Sequence, residues 1–289
     1  MFTLKTNFAT LNIDLNQGGK ILFLELNSIV IIQADLEEDF YLSGSYLLFP
    51  WVNRISSPTI KLPQKEIQLA NYKTDQNGLP IHGLYAQSPR KIISQTTNSI
   101  TISPFSFYPD FPTFRETFIL QENEFICQTE FYNPTKLIQA FGYGYHPYFQ
   151  LNKPIDELEL IVEPDTWIPL DKNLLPAIEI KKTLEVLPSP SLSQRSLDHL
   201  FLETRPQDAK ITLKDPSSNL SISCIGKHAQ GLEEISLPFF QIYTPPHRKT
   251  IAIEPQTHSG NMFEYPNFHP IYLEPNSYKR GEWKIQLSI

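Results

Sequence analysis

No stretch of this sequence approaches the roughly 20 consecutive apolar residues needed to cross a bilayer. The first residues, Met1-Phe2-Thr3-Leu4-Lys5-Thr6-Asn7, lack the basic segment and following apolar core of a secretory leader. Both absences lead to the expectation of a soluble, cytoplasmic protein that engages no membrane. Cysteine is nearly missing: Cys127 and Cys224 lie far apart, each in an apolar strand-like run, with no Cys-x-x-Cys spacing. Buried free thiols are expected, rather than a disulfide or a thiolate metal site. Positive charge is also short. Lys and Arg total 24 against 31 Asp and Glu, a net charge of −7, and no basic cluster is long enough to track a phosphate backbone. Nucleic acid is not an expected partner.

The chain also lacks Gly-x-Gly-x-x-Gly, a Walker-type loop, Gly-x-Ser-x-Gly, His-Glu-x-x-His and an acidic calcium loop. Long helical periodicity is hard to find, and 25 scattered prolines would interrupt it.

What is present is strand pattern. Ile211 and Leu213 alternate with Lys210, Thr212 and Lys214, and Leu220, Ile222 and Cys224 alternate with Ser221 and Ser223. Asp215-Pro216-Ser217-Ser218-Asn219 between them has turn chemistry, so the pair reads as a hairpin. Similar pairs are Thr59–Leu62 with Glu66–Leu69, and Glu116–Gln121 with Phe125–Phe131; Trp283, Ile285 and Leu287 mark a final strand. The fold class is therefore all-β, a large antiparallel β-sandwich. The length suits one domain over residues 1–289. Pro188-Ser189-Pro190-Ser191-Leu192-Ser193 reads as a surface loop rather than a linker, because strand patterns continue on both sides. The aromatic segment Phe105–Phe114 is either a loop packed on the core or a wall of a cleft.

Chemistry concentrates in four short segments. Gly142-Tyr143-Gly144-Tyr145-His146-Pro147-Tyr148-Phe149 sets one imidazole among aromatic rings and glycines. Aromatic faces suit the apolar C–H faces of a sugar, and glycines let backbone approach a ligand closely. The others are Phe49-Pro50-Trp51-Val52-Asn53-Arg54-Ile55, Leu79-Pro80-Ile81-His82-Gly83, and Ile251-Ala252-Ile253-Glu254-Pro255-Gln256-Thr257. In the last, Glu254 is expected to end a strand just before a proline, where a carboxylate can project into a cleft.

In order and spacing, these segments resemble the aldose 1-epimerase (galactose mutarotase) family. The resemblance rests on Asn53-Arg54, His82-Gly83, His146-Pro147-Tyr148-Phe149, Asp198-His199-Leu200-Phe201 and Glu254, with the His-x-Tyr-Phe and the late Glu its most specific parts. It implies a galactose mutarotase-like supersandwich, a small-molecule sugar as partner, no cofactor or metal, and a monomer or homodimer. It further implies that Glu254 is the general base and His146 the general acid that open and reclose a hemiacetal ring. Arg54 and His82 would hold sugar hydroxyls or the ring oxygen, Asp198 would accept from another hydroxyl, and Asn53 would support Arg54 and its loop. His146 would need a substantial protonated fraction near neutral pH, although its unperturbed pKa is about 6.5, and a nearby Glu254 would raise it.

Three other readings stand beside this one. A hexose-6-phosphate 1-epimerase would need additional cations, for which Arg90, Lys91, Arg115 and Arg248 are available. A glycosidase would use Glu254 and Asp198 as paired carboxylates but leave both histidines idle. A non-catalytic carbohydrate-binding protein would not require Glu254 and His146 together. His247 and His258 are read as cleft-mouth or solvent-exposed loop residues, and Thr244-Pro245-Pro246-His247-Arg248 as a loop shaping one cleft wall.

Overall fold

The computed structural model describes residues 1–62, 65–177, 179–265 and 270–289. Among these, strands dominate, and the α-helix is a single short turn at Thr183–Val186. The expected hairpins form. Thr113–Leu120 pairs with Glu124–Tyr132, Leu120 facing Phe125; Ala209–Lys214 pairs with Ser221–Gly226, Lys214 facing Ser221; Thr59–Leu62 pairs with Lys65–Gln68. The turn at Asp215 closes through its own carboxylate, which accepts from the Ser217 N–H at 2.9 Å.

Two large antiparallel sheets make the sandwich. One runs in the order Glu159–Val162, Ala209–Lys214, Ser221–Gly226, Tyr278–Ser288, Glu124–Tyr132, Thr113–Leu120, Ser99–Pro104, Arg90–Gln95. The other runs Lys181–Lys182, Thr166–Ile168, Asp198–Leu202, Phe239–Tyr243, Ile251–Gln256, Gly144–Tyr145, Leu47–Leu48. A four-stranded sheet of Phe2–Lys5, Ala9–Asp14, Lys20–Leu26 and Ile29–Gln33 precedes them in the chain. The alternation of Trp283, Ile285 and Leu287 buries all three, and their strand lies in the middle of the first sheet. The sheets face each other directly: Tyr145 of the second packs on Trp283 of the first at 5.2 Å between ring centroids, and Cys224 Sγ lies 3.8 Å from the Ile253 carbonyl. Both cysteines are free and buried.

The Phe105–Phe114 segment divides. Phe111 and Phe114 enter the core, Phe107 and Tyr108 lean on it, and Phe105 stays exposed. The serine- and proline-rich loop is a surface loop anchored by Leu192, which is buried and bonds the Leu158 carbonyl.

Candidate active site

The side chains of interest lie on the face of the second sheet turned away from the sandwich core. On Ile251–Gln256, period-two alternation sends Ile251 and Ile253 into the core and leaves Ala252, Glu254 and Gln256 on the opposite face. Glu254 does not end its strand, contrary to the sequence expectation. The strand continues through Pro255, which keeps register opposite Phe240. Glu254 reaches the cleft because of its parity in the strand. Gln241 sits directly opposite Glu254, and one strand further Asp198 faces Tyr243. The Gln241 amide therefore reaches Asp198 diagonally and donates to its Oδ1 at 2.5 Å.

His146 falls between the short strands Gly144–Tyr145 and Tyr148–Phe149, and both pair with Ile251–Gln256. Its backbone N–H bonds the Tyr46 carbonyl at 2.9 Å, and its ring is held between Tyr46 and Tyr148, at centroid distances of 4.9 and 4.8 Å. Its Nε2 lies 3.1 Å from Glu254 Oε1, and both residues are almost fully buried. The other Glu254 oxygen accepts from Gln256 at 2.9 Å.

His82 approaches from a loop. Its φ of +64° is the left-handed region, rarely occupied by a residue with a Cβ, and its N–H bonds the Asn53 carbonyl at 2.9 Å. The His82 ring meets the His146 ring edge to face at 5.3 Å. Arg54 is held by two partners: its Nε donates to Asp75 Oδ2 at 2.6 Å and its Nη1 to Asn53 Oδ1 at 3.0 Å. Asp75 also caps the turn that carries it by accepting from the N–H groups of Asn77 and Leu79. Burial alone would raise the Asp75 carboxyl, but Arg54 and these backbone donors bring it below its ordinary value.

Burial also sets the charge state of the central pair. It raises Glu254 well above the carboxylate range, a shift the nearby Asp198 reinforces and Gln256 and Arg54 oppose. It lowers His146 to about 3, with the charges of Lys73 and Lys20 adding to the effect. The expectation that Glu254 would raise His146 is thus reversed, because desolvation of the imidazolium outweighs the neighbouring carboxyl. Between the two shifted values the pair holds one proton, which the shifts place on Glu254, leaving His146 neutral. His82 is lowered by burial and by the charges of His146, Arg54 and Lys73, and Asp198 is raised by burial.

These residues line a cleft of about 500 Å³, with Asn53, Arg54, His82, His146, Asp198, Gln241 and Glu254 all on its wall. A larger hollow of about 780 Å³ elsewhere gathers Arg115, Glu130, Glu234 and Arg280, but no histidine. Its charges are paired with one another, as in Arg115 with Glu130 at 2.7 Å.

The chain matches the family model described as Aldose 1-epimerase over residues 2–286. It belongs to the aldose 1-epimerase family. No curated relative matches at the level of sequence. Among solved structures, a galactose mutarotase-like protein from Clostridium acetobutylicum superposes with a TM-score of 0.82 at 18% identity, over 99% of this chain and 94% of that one. A putative aldose 1-epimerase from Escherichia coli K12 gives 0.79 at 17%, over 99% and 98%. A galactose 1-epimerase from Lactobacillus acidophilus NCFM gives 0.71 at 17%, over 99% and 93%. The supersandwich is the fold these structures share with this chain.

In this aldose 1-epimerase family member, all six sequence-derived site residues converge on one cleft. The basic residues considered for a phosphate do not. Arg90 is fully buried against Glu116, Arg115 lies in the other hollow, and Arg248 is bound by Asp156 at 2.7 Å. None of them lines the cleft, and neither does Lys91. The Thr244–Arg248 loop also stays off the wall, which is formed instead by Tyr243. His247 is exposed beside a separate hollow with Asp35 and Glu38, whereas His258 is buried, against expectation, with its Nδ1 2.7 Å from Thr257 Oγ1. Sequence reading missed Asp75, Gln241, Tyr41, Tyr46 and Lys73. Gln241 had a signal, since a polar residue within Phe239-Phe240-Gln241-Ile242-Tyr243 is conspicuous in a buried strand.

Proposed function

We propose that the protein interconverts the α and β anomers of a free hexose, with Glu254 and His146 as the proton-transfer pair. The observation that carries this reading is the 3.1 Å contact between His146 Nε2 and Glu254 Oε1 on the wall of a polar cleft. Opening a cyclic hemiacetal needs the C1 hydroxyl proton removed and a proton delivered to the ring oxygen. Once the pair's single proton has moved from Glu254 to His146 across their 3.1 Å contact, Glu254 as carboxylate takes the first, and His146 as imidazolium supplies the second. After rotation about C1–C2, the same two groups reverse the transfers and close the ring on the other face. The pair begins and ends with one proton, so no net acid or base is consumed.

The rest of the lining supports a neutral polyol. Arg54 is pre-oriented by Asp75 and Asn53, and Asp198 by Gln241, so donors and acceptors are fixed before a sugar arrives. The cations on the wall, Arg54 and Lys73, are outnumbered by Asp39, Asp75 and Asp198. A dianionic phosphate would enter an acidic cleft, which favours free sugars over their 6-phosphates. Paired glycosidase chemistry between Glu254 and Asp198 would leave the His146 contact without a purpose.

Anomer-resolved NMR of freshly dissolved α-glucose, α-galactose and α-glucose 6-phosphate tests the reading. Accelerated interconversion of a free hexose is expected. Binding of these sugars without acceleration sinks catalysis, and a strong preference for the phosphate sinks the free-hexose assignment.

A further inference from the structure

The ion pair between Arg90 and Glu116 is the most deeply buried in the described protein, with side-chain exposures of 0% and 1%. Arg90 Nε donates to Glu116 Oε2 at 2.7 Å. The guanidinium then reaches two backbone carbonyls, those of Ser88 and Tyr85. On the far side, Glu116 Oε1 accepts from the Tyr145 hydroxyl at 2.8 Å, and Thr129 Oγ1 lies 3.1 Å from the same hydroxyl. A buried ion pair is a weak source of stability, because desolvating both charges offsets most of their attraction. Its strength lies in direction: each bond has a fixed angle and length.

Those directions connect the two histidine-bearing segments. Tyr145 immediately precedes His146, and strand alternation sends the tyrosine into the sandwich while the imidazole faces the cleft. The Tyr85 and Ser88 carbonyls belong to the segment that follows His82 and Gly83. One carboxylate thus grips the phenol beside His146 directly and, through Arg90, the chain that leaves His82. We propose that Arg90, Glu116 and Tyr145 are positioning residues that set the separation of His82 and His146 across the cleft. The inference rests on the reading of His146 as a proton donor to the sugar. None of the three touches the cleft, so they act only through the histidines.

The test uses two variants of the full chain: Tyr145→Phe, which removes one hydroxyl, and the double substitution Arg90→Met with Glu116→Leu, which replaces the ion pair by apolar side chains. Thermal melts, kcat and KM for the best free hexose, and the imidazole ¹⁵N resonances of His82 and His146 without sugar are measured. Both variants are expected to fold with KM within about threefold of wild type and kcat lowered by about 10-fold to 100-fold, as for a misplacement approaching 1 Å. The resonances of both histidines shift. If the double variant does not fold, Tyr145→Phe alone decides. A folded variant with unchanged kcat or unmoved resonances overturns the proposal. Should the wild-type protein turn over no sugar at all, the functional reading fails, and the resonances still decide whether the bracket holds the two rings.

Discussion

Gly83 passes so close to Phe49 that a Cβ on the glycine would lie 2.0 Å from the Phe49 carbonyl oxygen. The φ of +76° at Gly83 adds a second reason for its identity. The N–H of Leu84 bonds that same carbonyl at 2.7 Å, so the chain leaving His82 is pressed onto the segment that carries Asn53 and Arg54. Gly83→Ala should cost about 1–3 kcal/mol through strain alone and displace His82. Melts and sugar titrations of the variant check this; unchanged melting temperature and affinity would show that the contact has no role in placing the histidine.

Replacement of the proposed base gives the most direct test of the chemistry. Glu254→Gln keeps the shape and the capacity to bond Gln256, so sugar binding should survive. Turnover should fall by at least about 100-fold, the lower range for a positioned acid or base. A folded variant that retains turnover near wild type removes Glu254 from the role.

The opposite shifts of Glu254 and His146 define the expected pH profile. Activity requires the state in which the pair holds one proton. It should be lost on the acid side only as pH approaches the lowered His146 value of about 3, and on the alkaline side as pH passes the raised value of Glu254. His146→Asn should abolish most activity and leave any residual rate without the acid limb that His146 sets near pH 3. Persistence of that limb in the variant would assign the proton to another group, with His82 first in line.

Stability should carry the same signature. The unfolded chain protonates His146 near 6.5, but the folded chain does so only near 3. Between those values the unfolded state binds more protons, so this residue lowers stability as pH falls from about 6.5 towards 3. His146→Asn removes that contribution and should flatten the acid side of a plot of melting temperature against pH. Parallel curves for the two proteins would contradict the lowered value.

The acidic cleft predicts weak salt dependence. If the substrate is a neutral hexose, raising ionic strength should change kcat/KM little, because no ligand charge is captured. Arg115→Ala and Arg248→Ala should leave both free and phosphorylated sugars unaffected, since neither residue lines the cleft. Selective loss of phosphate turnover in either variant would restore the phosphorylated substrate.

Period-two alternation, turn residues and scattered prolines were enough to read an all-β sandwich from the sequence, since each is a local property of a few neighbouring residues. The hairpin around Asp215 and the strand ending in Leu287 were legible for that reason. The six candidate site residues were named because their motifs resemble a known family, and they line one cleft, although the strand-end placement of Glu254 was not borne out. Register was decided by the tertiary structure alone. Gln241 stands opposite Glu254, and Asp75 meets Arg54, only because strands and loops distant in the chain are brought side by side. Charge state was decided there too. No local sequence feature reveals that His146 is closed in by Tyr46, Tyr148 and Glu254, and desolvation by that enclosure reverses the shift a neighbouring carboxylate suggests. Arg90 makes the same point, since a cation that looks available to a phosphate is buried within the sandwich by its pairing with Glu116.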